Sequence, residues 1–157
     1  MNVTTSRFGT IYVNKNEIVR FDEGLFGFGK YHKYVILNTS KRNAPFRWLQ
    51  SVENGDLAFV IIEPIYFMFK YNLDISYTDQ QYLDLTSNED AIIYTIVSIP
   101  SNNPRNMTAN LKGPLIINTT NRKGRQVLSN NPNHCVRTRI LDAIQYKCSM
   151  IHLRERR

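Results

Sequence analysis

The chain has 157 residues, of which 42% are hydrophobic, and its 20 Lys and Arg outnumber its 13 Asp and Glu. This length predicts a single domain with a sizeable core, and every apolar run is far shorter than the roughly 20 residues that a membrane helix needs. The first residues lack the charged head and continuous apolar stretch of a secretion signal, so we expect a cytoplasmic protein without a membrane partner. In that reducing compartment, Cys135 and Cys148 are expected to be free thiols.

Charge is divided unevenly along the chain. Residues 48–104 contain eight acidic residues and one lysine, whereas residues 105–157 contain eleven basic residues and two acidic ones. Such asymmetry creates local fields that attract groups of opposite charge. The acidic middle favours a basic protein partner, and the basic end favours nucleic acid, an acidic protein surface or the chain's own acidic middle. Solvated charge without a partner is the alternative for both.

The N-terminal part of the sequence predicts β-structure. Apolar and polar residues alternate over the first 21 residues, which is typical of a hairpin or meander. The glycine-rich stretch DEGLFGFGK follows. It has neither the strand-to-helix context nor the spacing of a dinucleotide-binding loop. We therefore expect a structural loop, with Leu25, Phe26 and Phe28 packed inward.

Three further strands are predicted before residue 63, at Tyr34–Leu37, Phe46–Val52 and Leu57–Ile62. Asn38–Pro45 between the first two is a polar loop. Asn54-Gly55 predicts a type I′ hairpin turn, because that turn needs a positive φ at both central residues. Trp48 is expected to be a core aromatic, since a tryptophan buries a large apolar area.

The second half predicts a short helix and more strands. Thr78 is a candidate N-cap for a helix over Asp79–Leu85. A turn is expected at Asn121–Arg125, with Gly124 supplying the positive φ. Strands are predicted at Ala91–Ile99, Pro114–Asn118 and Gln126–Leu128.

The C-terminal stretch has a different pattern. Arg137–Arg154 carries apolar residues at helical spacing, which predicts a basic amphipathic helix that frays over Arg154–Arg157. We divide the chain into a β domain over residues 1–132 and a basic helical extension over residues 133–157. The predicted fold class is mainly β. It is a single-domain small β-barrel or sandwich of short antiparallel strands, with a short helix near residues 79–85 and a C-terminal helix.

The sequence contains no recognisable catalytic or cofactor-binding motif. It lacks a GxSxG nucleophile elbow, and catalysis by a nucleophile needs a base and an orienting group beside it. The metal-like residues are His134, Cys135, Cys148 and His152, but their spacing does not match structural zinc sites. We expect a buried Cys148 and solvent-facing His134 and His152. The prediction is a protein that is not an enzyme and has no metal or cofactor.

Protein binding fits the segment after the strand at residues 57–62. Pro64–Leu73 is rich in aromatic residues and contains Met68, and acidic residues lie at its borders. Aromatic side chains and methionine inside a polar rim are typical of interfaces. An ordinary core strand pair is the alternative. The candidate partner-binding residues are Glu63, Tyr66, Phe67, Tyr71 and Asp74.

Several stretches together resemble the flagellar assembly factor FliW family. These are NVTTSRFGTIYV at the start, FDEGLFGF (Phe21–Phe28), APFRWLQSVENGDLAFVIIEP (Ala44–Pro64), IVSIP, and MTANLKGPLIINTTNRKGRQV (Met107–Val127). The resemblance covers roughly residues 2–128 in order. The combination of WLQS, LAF, MTANL, P-x-x-IN and NR-x-G-x-Q-V is the specific part. This chain differs from the usual family pattern in its basic charge and in the tail after residue 132.

The resemblance implies a small, mostly β, barrel-like cytoplasmic protein without catalytic activity. It also implies two partners, flagellin before its export and the translational regulator CsrA. Binding to CsrA would relieve its repression of flagellin mRNA translation. CsrA binds RNA and must carry basic surface, so the acidic segment is the expected contact. The alternative function is a nucleic-acid-binding β-barrel protein that contacts RNA through its basic tail.

Overall fold

The computed structural model describes residues 1–38 and 45–155. Two α-helices, α1 (Tyr77–Tyr82) and α2 (Ile140–Glu155), accompany eleven strands. The strands are β1 (Asn2–Thr5), β2 (Gly9–Tyr12), β3 (Val19–Phe21), β4 (Lys33–Asn38), β5 (Arg47–Ser51), β6 (Ala58–Ile62), β7 (Ala91–Ser98), β8 (Thr108–Ala109), β9 (Leu115–Asn118), β10 (Lys123–Gln126) and β11 (Thr138–Arg139). Neither helix is long and apolar enough to cross a membrane.

Seven strands form a closed β-barrel. Their order is β7-β6-β5-β4-β3-β10-β9, and β9 pairs back onto β7, with Ile117 opposite Ile92. The predicted mainly β barrel is confirmed. The strands of the ring pair antiparallel, as predicted, except that β10 pairs with β3 in parallel. A closed ring with an odd number of strands cannot alternate direction throughout, so one parallel pair is required.

Buried apolar side chains fill the inside of the barrel and also lie against parts of its outer surface. Strand side chains alternate between the two faces of a sheet, which sends Tyr34, Leu49, Ile61 and Tyr94 inward together. The β1–β2 hairpin covers the outer face near Val35. Three other outer residues, Ile62, Val97 and Ala109, are covered by Phe67, Leu111 and Ile140. The barrel is therefore buried on both sides where these covers lie.

Two predicted glycine turns have a different physical basis. Arg122, not Gly124, takes the positive φ of 64°, and Gly124 already lies in strand β10. A Cβ at Gly124 would lie 2.6 Å from the ring of Phe21, so the absent side chain is what the site needs. The type I′ turn at Asn54-Gly55 is also wrong. Gly55 lacks a positive φ and is instead pressed against the carbonyl group of Thr4.

Some predicted ends and side-chain positions need correction. Helix α1 is capped by Ser76 rather than Thr78, because the Ser76 hydroxyl accepts a hydrogen bond from the Asp79 N–H. Phe26 and Phe28 are exposed, so that Leu25 is the one of the three predicted inward side chains that is buried. The loop is instead fixed by the Phe26 N–H, which donates to the side chain of Gln126 at 2.7 Å.

Trp48 is half-buried on the outside of the barrel, so its predicted core position is wrong. The Arg7 guanidinium lies 4.8 Å from the centre of its ring. Phe8 meets the ring edge-on at 5.5 Å. Strand alternation explains this position, because the neighbouring Leu49 takes the inward place in β5.

The C-terminal helix exists but begins at Ile140, three residues later than expected, because Thr138 and Arg139 pair with β8 as strand β11. Cys148 is exposed and His134 is buried, which reverses both predictions. The two cysteines are free, as predicted. Most of the predicted polar loop at Asn38–Pro45, and the last two residues of the chain, lie outside the described residues.

Candidate functional site

The predicted partner-binding segment begins where β6 ends. Pro64 stops the strand, because it has no N–H to donate, and the chain makes one 3-10 turn over Pro64–Tyr66. Ile65 and Tyr66 point outward and are 62% and 49% exposed. Phe67 is fully buried and belongs to the core below them. Of these three side chains, only Ile65 and Tyr66 lie on the surface.

Tyr71 has a structural role in the same segment. Its hydroxyl donates to the carbonyl of Leu111 at 3.1 Å. Its ring stacks on His134, with the ring centres 4.4 Å apart. Burial raises the pKa of the Tyr71 hydroxyl to about 12. These contacts attach the segment to the chain that precedes α2, and they leave little of Tyr71 for a partner.

His134 is the buried counterpart of that contact. Its Nδ1 shares a hydrogen bond with the hydroxyl of the buried Ser129. Burial lowers the pKa of the imidazole, and the nearby Lys112 lowers it further. Residues 134–140 thus pack onto the barrel through His134 and Ile140. The proposed division at residue 132 stays a prediction, but the chain just beyond it is part of the core.

The lowered pKa of His134 predicts an acid-sensitive fold. The imidazole binds a proton more readily in the unfolded state than in the folded state. The contribution of the neutral His134 to stability is therefore complete above about pH 6.5, and it is lost as the pH decreases through the pKa of the folded state. We expect the free energy of unfolding in urea to decrease as the pH falls below about 6.5. His134→Gln should lower stability at pH 7 and flatten this decrease. An equally steep decrease in the variant would contradict the assignment to His134.

Glu63 and Tyr66 lie near one end of the barrel. Burial raises the pKa of Tyr94, and the nearby Glu63 and Tyr66 raise it further. Arg47 acts in the opposite direction on the same hydroxyl. Glu63 is half-buried, and its backbone carbonyl accepts a hydrogen bond from the Tyr66 N–H.

Asp74 is exposed and lies further along the chain. Among the described residues, no hydrogen bond or ion pair joins it to Glu63 or Tyr66. The predicted residues therefore separate into three kinds. Glu63 and Tyr66 are neighbours, Phe67 and Tyr71 hold the segment in place, and Asp74 is a surface carboxylate.

The charge asymmetry of the sequence is partly cancelled in space. Lys123 Nζ lies 2.9 Å from Asp84, and Arg125 lies 3.0 Å from Asp79 and 3.3 Å from Glu23. The basic strand β10 therefore compensates the acidic helix α1 and the residues around it. The acidic residues that remain available to a basic partner are therefore expected away from α1.

Helix α2 lies against the candidate segment. Lys147 donates a hydrogen bond to the carbonyl of Ile65, and the Arg154 guanidinium lies 4.8 Å from the ring centre of Phe69. A mostly apolar groove of about 320 Å³ runs between the two. Its lining residues are Met68, Phe69, Lys70, Ala143, Tyr146 and Met150. Helix α2 therefore contacts the chain's own middle segment at groups of that segment that carry no charge.

We call Glu63, Ile65 and Tyr66 the 63–66 surface. Ile65 is not among the predicted binding residues, although an apolar residue directly after a strand-ending proline is a usable signal. The described residues hold no cluster of three or more His, Cys, Asp or Glu side chains placed to bind a metal ion. This surface combines an exposed apolar residue and an exposed aromatic residue with a half-buried acidic one, a composition that is common at protein interfaces.

Comparisons with known proteins agree with the fold. The model of the FliW protein family matches residues 2–140. The flagellar assembly factor FliW of Leptospira biflexa is 42% identical over 147 residues, which cover 92% of this chain and 95% of the relative. The protein of the same name from Alkaliphilus metalliredigens is 41% identical over 145 residues, covering 92% and 89% of the two chains.

A solved structure gives the same result in three dimensions. The crystal structure of a flagellar assembly factor FliW superposes with a TM-score of 0.80 and 32% sequence identity. The match covers 89% of this chain and 96% of the other. The family match, the identity to relatives named as assembly factors and the shared barrel all agree, and the chain belongs to the FliW family of flagellar assembly factors.

Proposed function

We propose that this protein is a non-enzymatic cytoplasmic regulator that binds flagellin before export and, in competition with it, the translational regulator CsrA. Membership of the FliW family is the observation that carries this proposal. Binding to CsrA would relieve repression of flagellin mRNA translation. The competition works by mass action, since whichever partner is in excess occupies the shared protein.

The 63–66 surface is the proposed contact for CsrA. An RNA-binding protein presents basic surface, and a carboxylate facing it contributes both attraction and orientation. Glu63 supplies the charge, and Ile65 and Tyr66 supply exposed apolar area beside it. Tyrosine is enriched among the residues that dominate binding energy at interfaces. Negative charge at this place would also repel RNA phosphates from the CsrA surface.

Separate co-elution experiments test the two partner assignments. The purified protein is mixed with flagellin or with CsrA, each after nuclease treatment, and passed over a size-exclusion column. We expect one complex with each partner. Failure to co-elute with either would contradict the proposal. Binding that appears only when the nuclease treatment is omitted, and that disappears with added salt, would favour the nucleic-acid alternative instead.

A further inference from the structure

A groove of about 320 Å³ opens on the outer face of the barrel, across β5, β6 and β7. Its floor is a row of side chains on these three strands, in which Trp48 lies opposite Val60 and Val60 lies opposite Val97. Arg7 lies at the Trp48 end of the row. Ile99, two residues after Val97 and 47% exposed, also lines the groove. We call these five residues the Arg7–Ile99 groove.

Arg7 is the one charged residue among the described residues that line the groove. Its guanidinium lies over the ring of Trp48, and no Asp or Glu of the described chain forms an ion pair with it. Asp56 accepts a hydrogen bond from the Ser6 hydroxyl instead. The residues outside the described ranges contain no acidic side chain. A guanidinium that stacks on an aromatic ring keeps the N–H groups at its edge for a planar anion.

The turn that carries Arg7 is fixed in place before any ligand arrives. It joins β1 to β2, and the Phe8 N–H donates to the hydroxyl oxygen of Thr5 at 2.9 Å. The Ser6 N–H donates to the carbonyl of Gly55 at 3.1 Å, which attaches the turn to the chain between β5 and β6. A group that is already held in position loses little freedom when it binds, so the cost of ordering the site is small.

The floor of the groove excludes two larger classes of ligand. Each of β5, β6 and β7 pairs with a neighbouring strand on both sides, so its backbone N–H and C=O groups are already occupied. An extended peptide that adds to a sheet needs the free groups of an edge strand. Nucleic acid needs several basic residues along its phosphates, and this groove has one cation. Recognition is therefore limited to one ion pair and apolar contact, which suits a small ligand.

We propose that the Arg7–Ile99 groove binds a small monocarboxylate with an aliphatic chain. Arg7 holds the carboxylate through two N–H donors, and the chain lies along Trp48, Val60 and Val97 towards Ile99. Neighbouring strands are about 4.8 Å apart, so the row from β5 to β7 is about 10 Å long, close to the length of extended octanoate. This site is separate from the 63–66 surface and does not depend on the proposed partners.

Fluorescence of the full chain tests the proposal, because Trp48 is its one tryptophan and lies in the groove. The protein is titrated with octanoate below the concentration at which octanoate forms micelles. Acetate, which lacks the chain, and 1-octanol, which lacks the charge, are the matched controls. We expect a saturable change in Trp48 emission with octanoate, at a Kd of about 1–10 mM for a ligand of this size. Each control should bind at least about tenfold more weakly, since it lacks one of the two contributions.

Two variants with the same change in charge locate the carboxylate. Arg7→Gln removes the ion pair and should weaken octanoate binding by about tenfold. Arg20→Gln removes an exposed cation from β3, which is not a strand of the groove, and should leave the Kd within about twofold. Ile99→Ser shortens the apolar part and should weaken binding by about threefold. All three side chains are exposed, and thermal unfolding followed by circular dichroism checks that each variant folds.

Four outcomes would overturn the proposal. The first is the absence of a saturable change in Trp48 emission with octanoate. The second is equal binding of octanoate and 1-octanol, which would show that the carboxylate is not recognised. The third is equal binding of octanoate and acetate, which would show that Arg7 takes any small anion and that the apolar row has no part. The fourth is an equal loss of affinity in Arg7→Gln and Arg20→Gln, which would place the ligand outside the groove.

Discussion

Glu63→Lys is expected to weaken the binding of CsrA by about tenfold or more, which corresponds to about 1.4 kcal/mol. Glu63 is half-buried and directly precedes the turn that exposes Ile65 and Tyr66. The variant would bring a positive charge to the basic surface of CsrA, and like charges facing one another across an interface cost several kcal/mol. Titration calorimetry with purified CsrA measures the change.

Glu89→Lys is the matched control for charge. Glu89 is an exposed carboxylate of the same acidic segment, in the 3-10 turn before β7. The two variants have the same net charge, so a general electrostatic effect would weaken CsrA binding equally in both. We expect less than about threefold for Glu89→Lys, because it acts only through the screened long-range field. Equal losses of CsrA affinity in the two variants would show that CsrA does not bind at the 63–66 surface. Thermal unfolding of each variant confirms that the fold is retained.

Ile117→Ala is expected to destabilise the protein by about 2–5 kcal/mol. Ile117 is 1% exposed, and it lies in β9 opposite Ile92 of β7, at the pairing that closes the barrel. Removing its side chain leaves a cavity at the seam, and the closed sheet cannot easily collapse to fill it. Urea unfolding followed by circular dichroism measures the loss.

Ile99→Ala provides the comparison for Ile117→Ala. Ile99 follows β7 and is 47% exposed, so the same truncation there removes few packed contacts. We expect a change within about 0.5 kcal/mol, as for most surface substitutions. If the two variants lost similar stability, the side chain of Ile117 at the β7–β9 pairing would not be packed in the core as described.

The strands were largely predictable from the sequence because their signals are local. Runs such as Leu57–Ile62 and Pro114–Asn118 combine β-branched residues with a glycine, proline or asparagine at their borders. The structure places β6 and β9 within one residue of those ranges. Closure of the barrel depends on pairing between distant strands such as β7 and β9, and the sequence predicted a barrel or a sandwich without deciding between them.

The predictions are wrong where the position of a residue depends on a neighbour that is distant in the sequence. The sequence around Gly124 predicts a turn residue, but the ring of Phe21, far away in the sequence, is what excludes a side chain there. The size of Trp48 predicts a core position, whereas the alternation of β5 places it outside under Arg7. The hydrophobicity of Phe26 and Phe28 predicts inward positions, although hydrophobic residues are common on protein surfaces.

The candidate site was predicted only in part. The aromatic composition of Pro64–Leu73 located the segment, but composition does not say which of its side chains are buried. The 3-10 turn exposes Ile65 and Tyr66 and buries Phe67. The sequence predicts a solvent-facing His134, because the tertiary fold alone brings its partners Ser129 and Tyr71 to it. No local sequence pattern predicts the stacked contact of His134 with Tyr71.

The competition between the two partners is the most direct test of the proposed function. A purified complex of this protein with CsrA is titrated with flagellin, and free CsrA is measured by its binding to a labelled flagellin mRNA leader. We predict that CsrA is released as flagellin is added and that it then binds the RNA, because both partners draw on one pool of the protein. Binding of flagellin while CsrA stays in the complex, or no release at saturating flagellin, would contradict the account.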